Sequence, residues 1–131
     1  HTDYLIVDKY KKINFSRKAK VLTHNNILKS CDIGLSTVML NKKLIKKNNI
    51  KFPNLKTKED FVLWLLILKK NITIGSLDKN LTKWRKLNDS LSSSVLQKLK
   101  DGYTLYREYM KYNFLKSFWY LILLSINSLR K

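Results

Sequence analysis

Lys56-Thr57-Lys58-Glu59-Asp60-Phe61-Val62-Leu63-Trp64-Leu65-Leu66-Ile67-Leu68-Lys69-Lys70 is the stretch on which the reading of this chain turns. It combines a short acidic opening, an unbroken apolar body and a basic close. Carboxylates are favoured at the positive end of a helix and lysines at the negative end, so the order of charges predicts a helix over 58–70 with Thr57 as N-cap. Apolar nearly all round, such a helix belongs inside a larger body. Glu59 and Asp60 are two of only nine acidic residues. A scarce acidic pair at the mouth of a buried helix is a candidate for chemistry. From spacing alone the plainer reading is that both acids complement the helix dipole.

Working outward, residues 3–22 read as strands or a hairpin around the polar turn Asp8-Lys9-Tyr10-Lys11-Lys12, and 25–30 as a short helix. Residues 34–40 alternate in part, are β-branched and follow a glycine, which predicts a buried strand. Residues 44–47 suggest a short helix, and Phe52-Pro53-Asn54 a loop. Residues 72–75 and 81–85 read as two short strands joined through 76–80. Helical periodicity runs from Val95 to about Leu129, capped from within 90–94, with breaks expected at Gly102 and Tyr112-Asn113. The fold class is α/β. The apolar tail carries no charge from Ser117 to Leu129, which is shorter than the roughly 18–20 residues of a membrane span. It reads as a docking or interfacial helix, or as a helix packed on its own domain.

The 131 residues suffice for about one domain, and 44% apolar content is enough for a packed core. The charge is unusual: 27 Lys and Arg against 9 Asp and Glu give +18, which attracts polyanions. A biased composition rich in Lys, Asn and Ile yields the same excess as a solvated surface. Cys31 stands alone, which excludes an intrachain disulfide or a cysteine metal cluster and fits a reducing, cytoplasmic setting. The sequons at Asn14, Asn71, Asn80 and Asn88 are chance matches in so Asn-rich a chain. No basic-then-apolar leader is visible, and the chain opens at His1 directly into strand-like residues, as if within a domain.

Four segments in order carry a family likeness. They are Leu28-Lys29-Ser30-Cys31-Asp32-Ile33-Gly34-Leu35-Ser36-Thr37-Val38-Met39; Phe52-Pro53 followed by Lys58-Glu59-Asp60-Phe61-Val62-Leu63-Trp64-Leu65; Leu81-Thr82-Lys83-Trp84-Arg85 running on to Ser90-Leu91-Ser92-Ser93; and Tyr106-Arg107-Glu108-Tyr109 followed by Leu115-Lys116-Ser117. Together they resemble the C-terminal half of bacterial inverting glycosyltransferases of family 2, with the GT-A fold, of the polysaccharide and O-antigen type. The resemblance implies a partial GT-A domain with a mostly helical C-terminal extension. Residues 1–90 would be the acceptor-side part of the catalytic domain and 91–131 the extension, with the donor-binding half absent.

It also implies a chemistry. Asp60 corresponds to the base that takes the acceptor hydroxyl's proton, and Glu59 to a neighbour that orients it or touches the acceptor. Trp84 and Arg85 fall where the family has an aromatic–arginine pair near the donor diphosphate or acceptor; a core tryptophan followed by a surface arginine is the plain alternative. Ser36 and Thr37 would line the sugar site, or sit as small polar residues in a core strand. The partners implied are a nucleotide-sugar donor and a glycan or lipid-linked acceptor. The family also implies a divalent Mg or Mn cofactor on the nucleotide diphosphate, yet no Asp-x-Asp occurs in the chain. Leu87 stands where many relatives carry a histidine, so no metal ligand is expected here.

Two other classes compete. Fifteen aromatic residues among many lysines suit a nucleic-acid-binding module, although most fall at helical core spacing and no nucleic-acid motif is present. Trp119 and Tyr120, with Lys111, Lys116, Arg130 and Lys131 around them, suit peripheral attachment of residues 112–131 to an anionic membrane surface, here the inner face. Pairing with a second copy of the chain is a further expectation for that helix.

Overall fold

A computed structural model describes residues 1–86 and 94–129. Leu87 and residues 90–93, named above, lie outside the described residues, as do Arg130 and Lys131. The chain is mixed α/β: a three-stranded sheet with helices packed into one core.

Strand β1 (Thr2–Val7) lies in the middle of the sheet, with order β2-β1-β3. It pairs antiparallel with β2 (Ile13–Arg17), as the hairpin pattern predicts. The Asp8 carboxylate closes the turn by accepting from the backbone N–H of Tyr10 at 2.8 Å and Lys12 at 2.9 Å. On its other side β1 pairs parallel with β3 (Leu77–Arg85), Tyr4 facing Thr82 and Ile6 facing Trp84. A parallel pair needs a long crossover, and residues 8–76 supply it, with the buried helix α3 (Glu59–Lys69) inside that connection.

Helix α3 forms the spine of the core. Phe61, Val62, Leu63, Trp64, Leu65 and Ile67 are all buried. Around it pack the short α1 (His24–Ile27), Ile33, Ile50 and the C-terminal helices, while α2 (Lys42–Lys47) is capped by the Asn41 side chain. Helix α4 (Val95–Thr104) opens on the Ser94 hydroxyl, which accepts from Gln97 N–H. It runs on through a wider π-turn (Leu105–Tyr109). Helix α5 (Phe114–Leu129) follows a break at 110–113, where the Asn113 side chain accepts from Lys116 N–H at 2.9 Å. The Tyr106 hydroxyl donates to the Leu28 carbonyl at 2.7 Å, tying the π-turn to α1.

Four local expectations are corrected. Residues 34–40 form no strand; Leu35–Thr37 is a 3₁₀ turn. The Thr37 hydroxyl donates to the Gly34 carbonyl at 2.7 Å, and the Thr37 N–H donates to the same oxygen at 3.0 Å. A hydroxyl that bonds its own backbone draws the chain away from a ladder. Residues 72–75 are not a strand either, and the supposed loop 76–80 is mostly strand, because β3 begins where it meets β1 at Thr2–Leu77. Edge pairing there overrides turn-forming composition. Gly102 does not break α4. It is buried, and a Cβ at this position would lie 2.9 Å from Leu121 Cδ1, so the glycine serves the close approach of α5.

The fourth correction concerns the start of α3. The N-cap is Lys58, at φ 63°, rather than Thr57. Thr57 turns instead toward α4, where the Asp101 carboxylate accepts from its N–H and from its hydroxyl, each at 2.8 Å. Gln97 Nε2 donates to the other Asp101 oxygen at 2.9 Å. A left-handed lysine costs roughly 1–2 kcal/mol, and this buried hydrogen-bond knot holds it in place.

Candidate functional site

The mouth of α3 opens on a cavity of about 260 Å³ lined by Tyr4, Gly34, Leu35, Ser36, Thr37, Asp60, Thr82 and Trp84. Three separate stretches build it. The first turn of α3 presents Asp60, the 3₁₀ turn presents Ser36 and Thr37, and the paired strands β1 and β3 present Tyr4, Thr82 and Trp84.

Asp60 sits in the first turn of α3, and its Oδ1 accepts from the Phe61 N–H at 2.7 Å. That bond uses one of the helix's unpaired donors and fixes the carboxylate's direction. Burial pushes its pKa above the ordinary carboxylate value; the Phe61 N–H opposes this, and the neighbouring Glu59 charge adds to it. The result is a carboxylate held more basic than one in water.

Thr37 is buried, its hydroxyl engaged with Gly34, so it shapes the wall more than it offers a free hydroxyl. Ser36 is exposed, and its carbonyl accepts from the Thr82 hydroxyl at 3.5 Å, a long bond that joins the 3₁₀ turn to β3. Trp84 is 44% exposed, presenting an aromatic face to the cavity instead of filling the core. Burial pushes the Tyr4 phenol up, partly offset by the nearby Arg17 charge.

Of the six residues singled out from the sequence, four line this cavity: Asp60, Ser36, Thr37 and Trp84. Glu59 lies one position earlier on α3, half-buried and outside the lining. Arg85 is exposed at the end of β3, also outside it. Tyr4, Gly34, Leu35 and Thr82 are wall residues that motif reading did not select as site residues. Tyr4 and Thr82 are far apart in sequence and meet only through the β1–β3 register, which no local pattern displays.

Among the described residues no three His, Cys, Asp or Glu side chains gather as a metal cage. With only Asp60 and its neighbour Glu59 nearby, the donor set of this cavity does not match the several hard oxygen ligands of Mg²⁺ or Mn²⁺.

Comparison with known proteins gives this geometry a context. The chain is 31% identical over 117 residues to TuaG of Bacillus subtilis, which is named as a teichuronic acid biosynthesis glycosyltransferase; the match covers 89% of the chain and 46% of that protein. It is 35% identical over 102 residues to WfgD of Escherichia coli, covering 77% of the chain and 39% of that protein. WfaP, also of Escherichia coli, is 36% identical over 78 residues, covering 60% of the chain and 30% of that protein. Both Escherichia coli proteins are named as UDP-Glc:alpha-D-GlcNAc-diphosphoundecaprenol beta-1,3-glucosyltransferases. The similarity is to bacterial glycosyltransferases. The chain spans less than half the length of each of these relatives. No protein-family model matches the chain, and no solved structure matches it significantly.

Proposed function

We propose that this chain forms the acceptor side of a glycosyltransferase of family 2, with the GT-A fold, that transfers a sugar with inversion from a nucleotide-sugar donor. The acceptor is a glycan or lipid-linked saccharide in surface polysaccharide assembly. Support for the transferase class comes from relatives named as glycosyltransferases, two of them for UDP-glucose donors and diphosphoundecaprenol-linked acceptors. The observation that carries the assignment of roles is Asp60, a basic, directed carboxylate in a cavity shared with Ser36 and Trp84.

In the proposed step the acceptor hydroxyl oxygen attacks the anomeric carbon as the bond from that carbon to the diphosphate breaks. Asp60 accepts the hydroxyl proton, and the electron pair of the broken bond leaves with the nucleoside diphosphate. Removing the ionised carboxylate from water raises its basicity, which suits proton abstraction near neutral pH. The indole of Trp84 offers an apolar face against which a sugar ring packs. The Ser36 and Thr82 hydroxyls supply hydrogen bonds for orientation. Glu59 keeps Asp60's charge environment negative, and Arg85, exposed at the strand end, carries a guanidinium suited to phosphate. A divalent metal on the leaving diphosphate, expected of the family, would be held by residues other than these.

The test is transfer of labelled glucose from UDP-glucose to a GlcNAc-diphosphate lipid by the protein carrying this chain, with and without Asp60→Asn. Loss of a positioned base predicts a fall in turnover of about 10²–10⁴-fold, with an unchanged circular dichroism spectrum. Wild-type turnover in a folded variant removes Asp60 from the role.

A further inference from the structure

Helix α5 presents two apolar faces, and among the described residues only one of them is packed. Ser117 and Leu124 are buried, and Tyr120 and Leu121 pack against the core. On the other side Phe114, Leu115, Phe118, Trp119, Ile122, Ile126 and Leu129 are all exposed, from 37% to 88%. At 3.6 residues per turn these positions fall within roughly 140° of arc, so they form one continuous stripe. Helix α4 adds Val95 and Leu99, exposed where it meets α5, and Leu96, exposed on the same helix. Between the two helices runs a groove of about 350 Å³ in which apolar side chains sit with Lys58 and Lys98. An apolar surface of this extent on a soluble body marks an interaction site.

The charge says what covers it. Between Ser117 and Leu129 α5 has no charged residue, while Lys98 and Lys58 line the groove and Lys111 and Lys116 stand at its N-terminal end. Lys116 Nζ lies 4.1 Å from the ring centroid of Tyr112, which itself packs on Tyr106 and Tyr120 at the core side of the helix. Apolar and aromatic side chains rimmed by lysines, on a chain of net +18, complement an anionic bilayer. A second copy of the same face would instead bring two strongly positive bodies together. No helix among the described residues is long and apolar enough to cross a membrane. Attachment would therefore lie in the plane of the interface.

We infer that the exposed stripe of α5, with Val95, Leu96 and Leu99 of α4, docks this protein onto an anionic lipid bilayer. Trp119 and Phe118 enter the headgroup–acyl boundary, and the lysines contact lipid phosphates. This inference does not depend on the role of Asp60.

Co-sedimentation of the protein carrying this chain with phosphatidylcholine vesicles, with and without phosphatidylglycerol, tests it. Binding is expected only with the anionic lipid, weakening as salt shortens the screening length and accompanied by a blue shift of tryptophan emission. The paired substitution Phe118→Ser and Trp119→Ser changes two exposed residues. It should leave circular dichroism intact and weaken binding at least about tenfold, since burying even one such side chain exceeds the free energy of a tenfold change. Undiminished binding by the variant, equal binding to both vesicle types, or no binding at all overturns the proposal. So does a wild-type dimer that the paired substitution converts to monomer, because a second copy then covers the face.

Discussion

Replacing Asp101 by alanine tests how the candidate site is held. Asp101 sits on α4, yet its carboxylate accepts from the N–H and hydroxyl of Thr57, two residues before the start of α3. Both residues are buried, so alanine strands two donors where water cannot replace the lost acceptor. Each orphaned buried donor costs about 1–3 kcal/mol, so the two together lose about 2–6 kcal/mol. For a chain of this length each kcal/mol lowers Tm by about 3–4 °C, so the melting temperature should fall by roughly 6–24 °C. Asp101→Asn keeps one oxygen for the two Thr57 donors but loses the charge and the second acceptor, which Gln97 can compensate by turning its amide oxygen inward, a smaller cost of about 1–2 kcal/mol.

The pH dependence gives a second reading of the same perturbation. Burial pushes the Asp101 carboxyl up, but the hydrogen bonds from Gln97 and Thr57 outweigh it and hold the group below the usual carboxylate range. A depressed folded pKa means the stabilisation is complete above the unfolded value near ~3.9 and is lost as pH falls through the folded value. The stability gap between wild type and Asp101→Asn should therefore be widest near neutrality and close in acid. Urea melts across that range measure it. A deficit in Asp101→Ala below about 1 kcal/mol, or a gap with Asp101→Asn that widens in acid, refutes the claim that this carboxylate fixes the start of α3.

Two further outcomes follow from packing. Tyr106→Phe removes the hydroxyl that donates to the Leu28 carbonyl and should cost about 1–2 kcal/mol in urea unfolding; because burial pushes the Tyr106 phenol up, its ultraviolet titration should appear only after the exposed tyrosines. Gly102→Val should cost about 1–3 kcal/mol by forcing Leu121 and Lys58 aside where α4 and α5 meet, and a variant as stable as wild type would show that the helices can separate there freely.

Much of the architecture could be read from local chemistry. The hairpin β1–β2, the buried helix α3 with its acidic start, and the break near Asn113 each follow from short-range patterns: strand-like residues flanking a polar turn, charges matched to a dipole, a polar interruption. At 34–40 a local bond, Thr37 hydroxyl to Gly34 carbonyl, set the turn, but other errors fell where a non-local partner overrode a local preference. Thr57 suits an N-cap, but a buried carboxylate more than forty residues away takes its donors. Gly102 suits a helix end, but α5 needs the space.

The same division runs through the site. From sequence alone, Asp60 could be identified as a scarce carboxylate aimed by a helix start, because helix formation, dipole and capping act over one turn. That Ser36, Thr82 and Trp84 share its cavity, that Trp84 stands half-exposed there, and that Asp60 is more basic than in water were settled only by the fold. The parallel pairing of β1 with β3 joins residues about eighty positions apart, and desolvation depends on everything packed around a group. Neither quantity is carried by any short stretch of sequence.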